Sequence, residues 1–192
     1  MNGAITNILL VGVGGQGILL ASEILAETFM QAGYDVKKSE IHGMSQRGGS
    51  VVSHVRYGRE VFSPTVPEGE GDILFGFELM ETCRYLHLMK PGGKVIANDL
   101  KLQPTAVLSG LVPYPEGLPE LIRSRFPDFL LVDGQKFAIE AGNARAANTV
   151  LLGAVSKRLN IPEGCWMAAL EKMVPAKAIE INRRAFLMGR VL

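Results

Sequence analysis

The run Ile8-Leu9-Leu10-Val11 passes directly into Gly12-Val13-Gly14-Gly15-Gln16-Gly17, and a helical pattern opens at Ile18. A short, continuous apolar run that ends in a turn is the mark of a strand buried on both faces. From Ile18 to Met30 the spacing sets Leu20, Ile24 and Leu25 on one side, and Gly33 stands where a helix ends in a left-handed glycine. Residues 34–41 then read as a second strand. Strand, glycine turn, helix and strand make a βαβ unit, with a right-handed crossover expected. A chain that opens this way is directed toward an α/β sheet from its first forty residues.

The remaining pattern extends that start. Val51, Ser53, Val55 and Tyr57 alternate against Val52, His54 and Arg56 as in a strand, and residues 57–61 look like a hairpin corner. Pro64, Pro67, Gly69 and Gly71 mark a loop, with Asp72 at its end, and residues 73–77 a buried strand. Residues 78–89 suit a helix stopped by Pro91-Gly92-Gly93, and residues 94–98 and 129–132 suit strands. Between them, residues 100–128 carry Pro104, Pro113, Pro115, Pro119 and Pro127 and show no clear element. Helices are expected at residues 135–141, 145–159, 162–173 and 175–189, with Pro162 and Pro175 at starts where a missing N–H costs nothing. The expected architecture is one Rossmann-like, three-layer α/β domain over residues 1–192. It has a mostly parallel sheet, an inserted hairpin and a helical C-terminal third.

Composition removes several function classes. Of 192 residues, 47% are apolar and 20% charged, enough to bury a core and unlike a disordered chain. The formal net charge of +1 supplies no global field for nucleic acid or an anionic membrane, so neither is expected as a partner. Cys83 and Cys165 lie far apart and cannot hold a four-cysteine cluster or structural zinc between them, so no metal site is expected. Packed thiols without a disulfide framework fit a reducing cytoplasm. No basic and apolar leader precedes the first strand, and no apolar run approaches the ~20 residues of a membrane helix.

Two segments carry possible chemistry. Gly12, Gly14 and Gly17 match Gly-x-Gly-x-x-Gly, which brings backbone close to a ligand and favours a phosphate at the helix start. Glu40, near the end of the second strand, is where a nicotinamide dinucleotide would need an acid, whereas Gly15 and Gln16 add a glycine and a polar side chain to the turn. A dinucleotide site, another anion or partner contact, and plain backbone packing all remain open. The second segment groups His42, Gln46 and Arg47 with Gly43, Ser45, Gly48, Gly49 and Ser50. Its glycines allow close approach to another surface, and Arg47 offers a planar, permanently charged fork for carboxylate or phosphate. A solvated loop with a surface ion pair is the plainer alternative. His54 and His87 lack metal-ligand spacing and read as structural. There is no Gly-x-x-x-x-Gly-Lys-Ser/Thr loop, Gly-x-Ser-x-Gly elbow or His-Glu-x-x-His motif, so no complete catalytic apparatus is visible.

These residues, taken in order, resemble a known family. Val11-Gly12-Val13-Gly14-Gly15-Gln16-Gly17 is similar to the opening of the gamma-type domain of 2-oxoacid:ferredoxin oxidoreductases. His42-Gly43-Met44-Ser45-Gln46-Arg47-Gly48-Gly49, then Gly76-Phe77-Glu78 with Arg84-Tyr85, then Val174-Pro175-Ala176-Lys177 leading to Gly189, narrow it to the beta subunits of the indolepyruvate branch. Pyruvate and oxoglutarate relatives would carry a Pro-Glu-x-Arg-Gly-Gly-like stretch instead. A second proline is more usual in the third motif, a minor departure. The resemblance spans nearly the whole chain. It implies a subunit with no catalytic residues or bound cofactor of its own, and a partner alpha subunit that holds thiamine diphosphate and iron–sulfur clusters. It further implies oxidative decarboxylation of arylpyruvates with coenzyme A and ferredoxin as electron acceptor. A hetero-oligomer is expected, two of each subunit being one arrangement it allows. Gly12, Gly14, Gly15, Gln16 and Gly17 would face a cofactor or coenzyme A. His42, Gln46, Arg47, Gly48, Gly49 and Ser50 would face substrate or partner. The alternatives are a gamma subunit for pyruvate, 2-oxoglutarate or branched-chain 2-oxoacids, or an NAD-binding oxidoreductase.

Overall fold

The computed structural model describes residues 5–42 and 48–192, the side chains of 42, 105 and 106 excepted. Six strands, β1 (Thr6–Val13), β2 (Asp35–His42), β3 (Ser50–Gly58), β4 (Gly71–Gly76), β5 (Met89–Asn98) and β6 (Leu130–Val132), form one sheet in the order β2-β3-β1-β4-β5-β6. Helix α1 (Ile18–Gln31) links β1 to β2, and α2 (Leu79–Arg84), α3 (Thr105–Leu108) and α4 (Leu118–Arg125) lie between β4 and β6. Helices α5 (Gly134–Ala141), α6 (Ala147–Ser156), α7 (Glu163–Met173) and α8 (Ile179–Arg190) complete the chain.

The alternating side chains of β1 separate two cores. Ile8 and Leu10 pack with α1 and with α5 to α8, while Leu9 and Val11 pack on the other face with Leu79 of α2 and Ile122 of α4. All four are fully buried, as a strand covered on both faces requires. Helices on both sides of one sheet give the expected three layers. At the end of α1, Tyr34 N–H donates to Phe29 C=O and Gly33 N–H to Met30 C=O, and Gly33 takes φ +83°. This paired closure is the reason for a glycine there.

Several local expectations change. Strands β1 and β2 are not neighbours, because β3 lies between them and pairs antiparallel with both. It is the one strand running against the rest, so the inserted hairpin is β2–β3, and the corner at residues 57–61 leads to no further strand. Nor does β3 alternate between core and solvent. Residues 52–55 are all buried, with the loop after it covering one face, where Val66 N–H donates to His54 Nδ1. Burial pushes the His54 pKa down, which keeps the ring a neutral acceptor and fits a structural role. Asp72 lies within β4, accepting Asn7 N–H at 2.7 Å, rather than ending the preceding loop. The helix expected over residues 78–89 stops at Arg84 and is followed by a 3-10 turn, Leu86–Leu88. Pro91-Gly92-Gly93 falls inside β5, where register shifts between Gly71/Met89 and Ile73/Lys94 absorb the extra residues as a bulge. Among the described residues no helix is long and apolar enough to cross a membrane.

Candidate functional site

Strands β1, β2, β4, β5 and β6 all end on one rim of the sheet, the rim where ligands bind in open α/β folds. The reversed direction of β3 makes it begin there, at Ser50, so the segment after β2 returns to the same rim. Two hydrogen bonds clamp the two glycine segments together. Gly14 N–H donates to Gly49 C=O at 2.8 Å, and Gly48 N–H donates to Gly14 C=O at 3.3 Å. His42 ends β2 opposite Val51, while Gln46 and Arg47 lie outside the described residues.

The turn itself is braced from three directions. Val13 N–H donates to Gln16 Oε1 at 2.7 Å, and Gln16 Nε2 donates to Phe77 C=O at 3.0 Å, tying the turn to the end of β4. Asn148 Nδ2 donates to Gln16 C=O at 2.6 Å across 132 positions of sequence. Gly17 begins α1 at φ +79°, and a Cβ there would lie 2.4 Å from Asn148 Nδ2, so only glycine fits. The Gln16 side chain thus shapes the turn from within. Replacing Gln16 with Ala orphans the Val13 donor and leaves Phe77 C=O with only the 3.5 Å contact from Asn98 Nδ2, and is expected to cost about 1–3 kcal/mol, read by urea denaturation. Unchanged stability would show that the side chain is not a brace.

This bracing leaves donors open at the rim. Gly15, Gly17, Ile18 and Leu19 N–H groups find no acceptor among the described residues, and the first turn of α1 carries no acid. Such a helix start is suited to an anion. Three clefts surround it. One of ≈460 Å³ is bounded by Gly15, Leu19, Glu40 and Val51, one of ≈410 Å³ by Gln16, Asn98, Arg145 and Asn148, and one of ≈480 Å³ by Gly14, Ser50 and Glu81. The ≈410 Å³ cleft lies between the ends of β1 and β4, where the chain order switches direction across the sheet. Arg145 is exposed there, and its guanidinium has no partner among the described residues. Backbone donors, side-chain amides and one free guanidinium make a donor set that fits a phosphate. Arg145 and Asn148 carry no motif, and only the fold brings them to the turn.

Glu40 borders the first cleft but accepts Ser22 and Ser53 hydroxyls at 3.4 and 3.2 Å. In dinucleotide folds the acid sits on the strand beside β1; here β3 takes that place and moves Glu40 one strand away. The cysteines are free, and burial raises the Cys83 thiol to a pKa of about 11, far from a reactive thiolate. Among the described residues no three His, Cys, Asp or Glu side chains converge as a metal site.

The comparisons with known proteins agree with this architecture. The family model described as pyruvate ferredoxin/flavodoxin oxidoreductase matches residues 7–192. An indolepyruvate oxidoreductase subunit IorB from Pyrococcus horikoshii is 41% identical over 188 residues, covering 95% of this chain and 93% of that one. Among solved structures, the pyruvate oxidoreductase subunit PORC from Thermotoga maritima superposes with a TM-score of 0.72 at 22% identity, over 96% of this chain and 94% of that one. A 2-oxoglutarate:ferredoxin oxidoreductase from Magnetococcus marinus, solved with 2-oxoglutarate, coenzyme A and succinyl-CoA bound, gives 0.73 at 21% identity, over 97% of this chain and 30% of that one. With nearly its whole length matched and a glycine turn locked to the loop beside it, the chain belongs to the pyruvate ferredoxin/flavodoxin oxidoreductase family.

Proposed function

We propose that this chain is the cofactor-free subunit of a cytoplasmic indolepyruvate oxidoreductase and completes a site carried by a larger alpha subunit. The complex decarboxylates arylpyruvates such as indole-3-pyruvate oxidatively. It joins the acyl group to coenzyme A, releases carbon dioxide and passes the electrons to ferredoxin. Thiamine diphosphate and iron–sulfur clusters on the alpha subunit supply the carbon–carbon cleavage and the electron path. This chain supplies shaped backbone and positive charge. Gly12, Gly14, Gly15, Gln16 and Gly17 form the turn that faces the coenzyme A phosphates, with the open N–H groups of Gly15 and Gly17 as donors and Arg145 beside them. His42, Gln46, Arg47, Gly48, Gly49 and Ser50 face the partner and its substrate. The observation that carries this reading is the clamp of Gly14 on Gly48 and Gly49, which holds both segments on one rim. The IorB relative, at 41% identity, favours the aryl substrate over pyruvate.

The test is co-purification with the larger subunit, followed by coenzyme A-dependent reduction of a viologen dye. Indolepyruvate and phenylpyruvate are expected to turn over well above pyruvate, and the isolated chain not at all. Equal use of pyruvate would move the assignment to another 2-oxoacid, and turnover by the chain alone would end it. In the same complex Arg47→Ala is expected to weaken kcat/KM or subunit affinity by about 1–3 kcal/mol, the range of one charge-assisted contact. No change in either would leave Arg47 a solvated loop residue.

A further inference from the structure

The ≈480 Å³ cleft beside the clamp is lined by one acid, Glu81, with Arg84 and Ser50 next to it and Met80, Leu102 and Leu108 as apolar walls. On its floor Glu81 has a side chain only 4% exposed. One carboxylate oxygen accepts the Ser50 hydroxyl at 2.5 Å, and that hydroxyl lies 3.0 Å from Tyr85 Oη. Among the described residues the other oxygen faces only Arg84, at 3.4 Å, beyond the ~2.7–2.9 Å of a closed charge-assisted pair. The Arg84 side chain is itself 52% exposed. A buried carboxylate left this open gains most from a cation brought to it in a water-poor pocket. Around the mouth, Leu102 and Leu108 line the cleft, and Leu111 and Val112 follow on the same exposed strap, with Leu108 and Leu111 70% and 78% exposed. Apolar walls about one polar anchor form the plan of an interface hot spot.

We propose that this cleft is a socket for a segment of the larger subunit that presents an arginine or lysine to Glu81 between apolar neighbours packed on Leu102 and Leu108. Charge complementarity sets the sign of the occupant. Gly14 and Gly48 line the same cleft, which places the socket on the rim where the proposed function has the two subunits meet. The inference rests on that reading for the identity of the partner. It adds residues, Glu81, Leu102 and Leu108, that no motif singled out.

The experiment measures affinity between the purified large subunit and two variants, Glu81→Gln and Leu108→Asp. Glutamine keeps the shape and the acceptor for Ser50, and Leu108 is exposed, so the fold tolerates both. Each is expected to weaken assembly at least tenfold, and Glu81→Gln to flatten the salt dependence of binding. A large excess of variant subunit is expected to restore wild-type kcat with indolepyruvate. Wild-type affinity in both variants would overturn the proposal. So would loss with Glu81→Gln alone, which marks a structural acid, or an effect confined to self-association of the isolated chain, which marks a second copy as occupant. If the wild-type complex assembles but ignores arylpyruvates, the functional reading fails while the affinity comparison still decides the socket.

Discussion

Gly189→Ala is expected to destabilise the protein by about 3 kcal/mol or more, the upper range for overpacking a rigid core. Helices α6 and α8 cross with their backbones in contact. A Cβ on Gly189 would lie 1.8 Å from Val150 C=O, and one on Gly153 would lie 2.1 Å from Phe186 C=O. Neither obstacle is a side chain that can rotate away. Val150 to Val155 are fully buried, so α6 cannot retreat without disturbing the core on that face of the sheet. In a domain of this size the melting temperature is expected to fall by roughly 6–12 °C. Gly164→Ala in α7 is the matched control, because a Cβ there meets nothing within 4 Å. It is expected to stabilise the chain by about 0.4–1 kcal/mol through a more restricted unfolded state. Equal melting temperatures for the two variants would refute the tight crossing.

A comparable loss, about 3 kcal/mol or more at ~1–3 kcal/mol for each of three orphaned donors, is expected for Glu78→Ala. Glu78 is fully buried, and its carboxylate accepts Glu81 N–H at 2.8 Å, Leu102 N–H at 3.3 Å and Tyr114 O–H at 2.5 Å. It caps α2 and ties the proline-rich strap to the end of β4. Without it the strap loses its attachments at Leu102 and Tyr114 and keeps the Leu79 N–H bond to Leu100 C=O, so amide exchange over residues 101–117 is expected to accelerate beyond the change in global stability. Tyr114→Phe removes one donor and is expected to cost about 1.5–3 kcal/mol. Burial, and then the Glu78 carboxylate, push the Tyr114 phenol well above its usual pKa. Because the folded value is raised, this contribution is complete below the unfolded pKa of about 10 and is lost as pH rises beyond it. Wild-type stability in Glu78→Ala would show that the strap is held by something else.

What the sequence made legible was local. The buried run, the glycine turn and the Gly33 terminus of α1 each depend on residues within a few positions, so composition and spacing suffice. The position of β3 was not legible, because alternation gives a strand but not its neighbours. Pro91-Gly92-Gly93 reads locally as a stop, yet pairing with β4 carries the chain through it as a bulge. The site divides the same way. Its glycines stand in a recognisable pattern, whereas Asn148, Arg145 and Glu81 reach it from other elements and leave no periodic trace. Residues 100–128 hid two short helices, α3 and α4, because their proline content masks an ordinary helical spacing.

The reversed strand β3 also bears on which substitutions the chain tolerates. Eight residue pairs, from Asp35↔Gly58 to His42↔Val51, fix the register on either side of the segment between them. Its roots are therefore set by backbone pairing rather than by its own side chains. Substitutions between the two strands are accordingly expected to leave the pairing of β2 with β3 intact, whatever side chains the intervening positions carry.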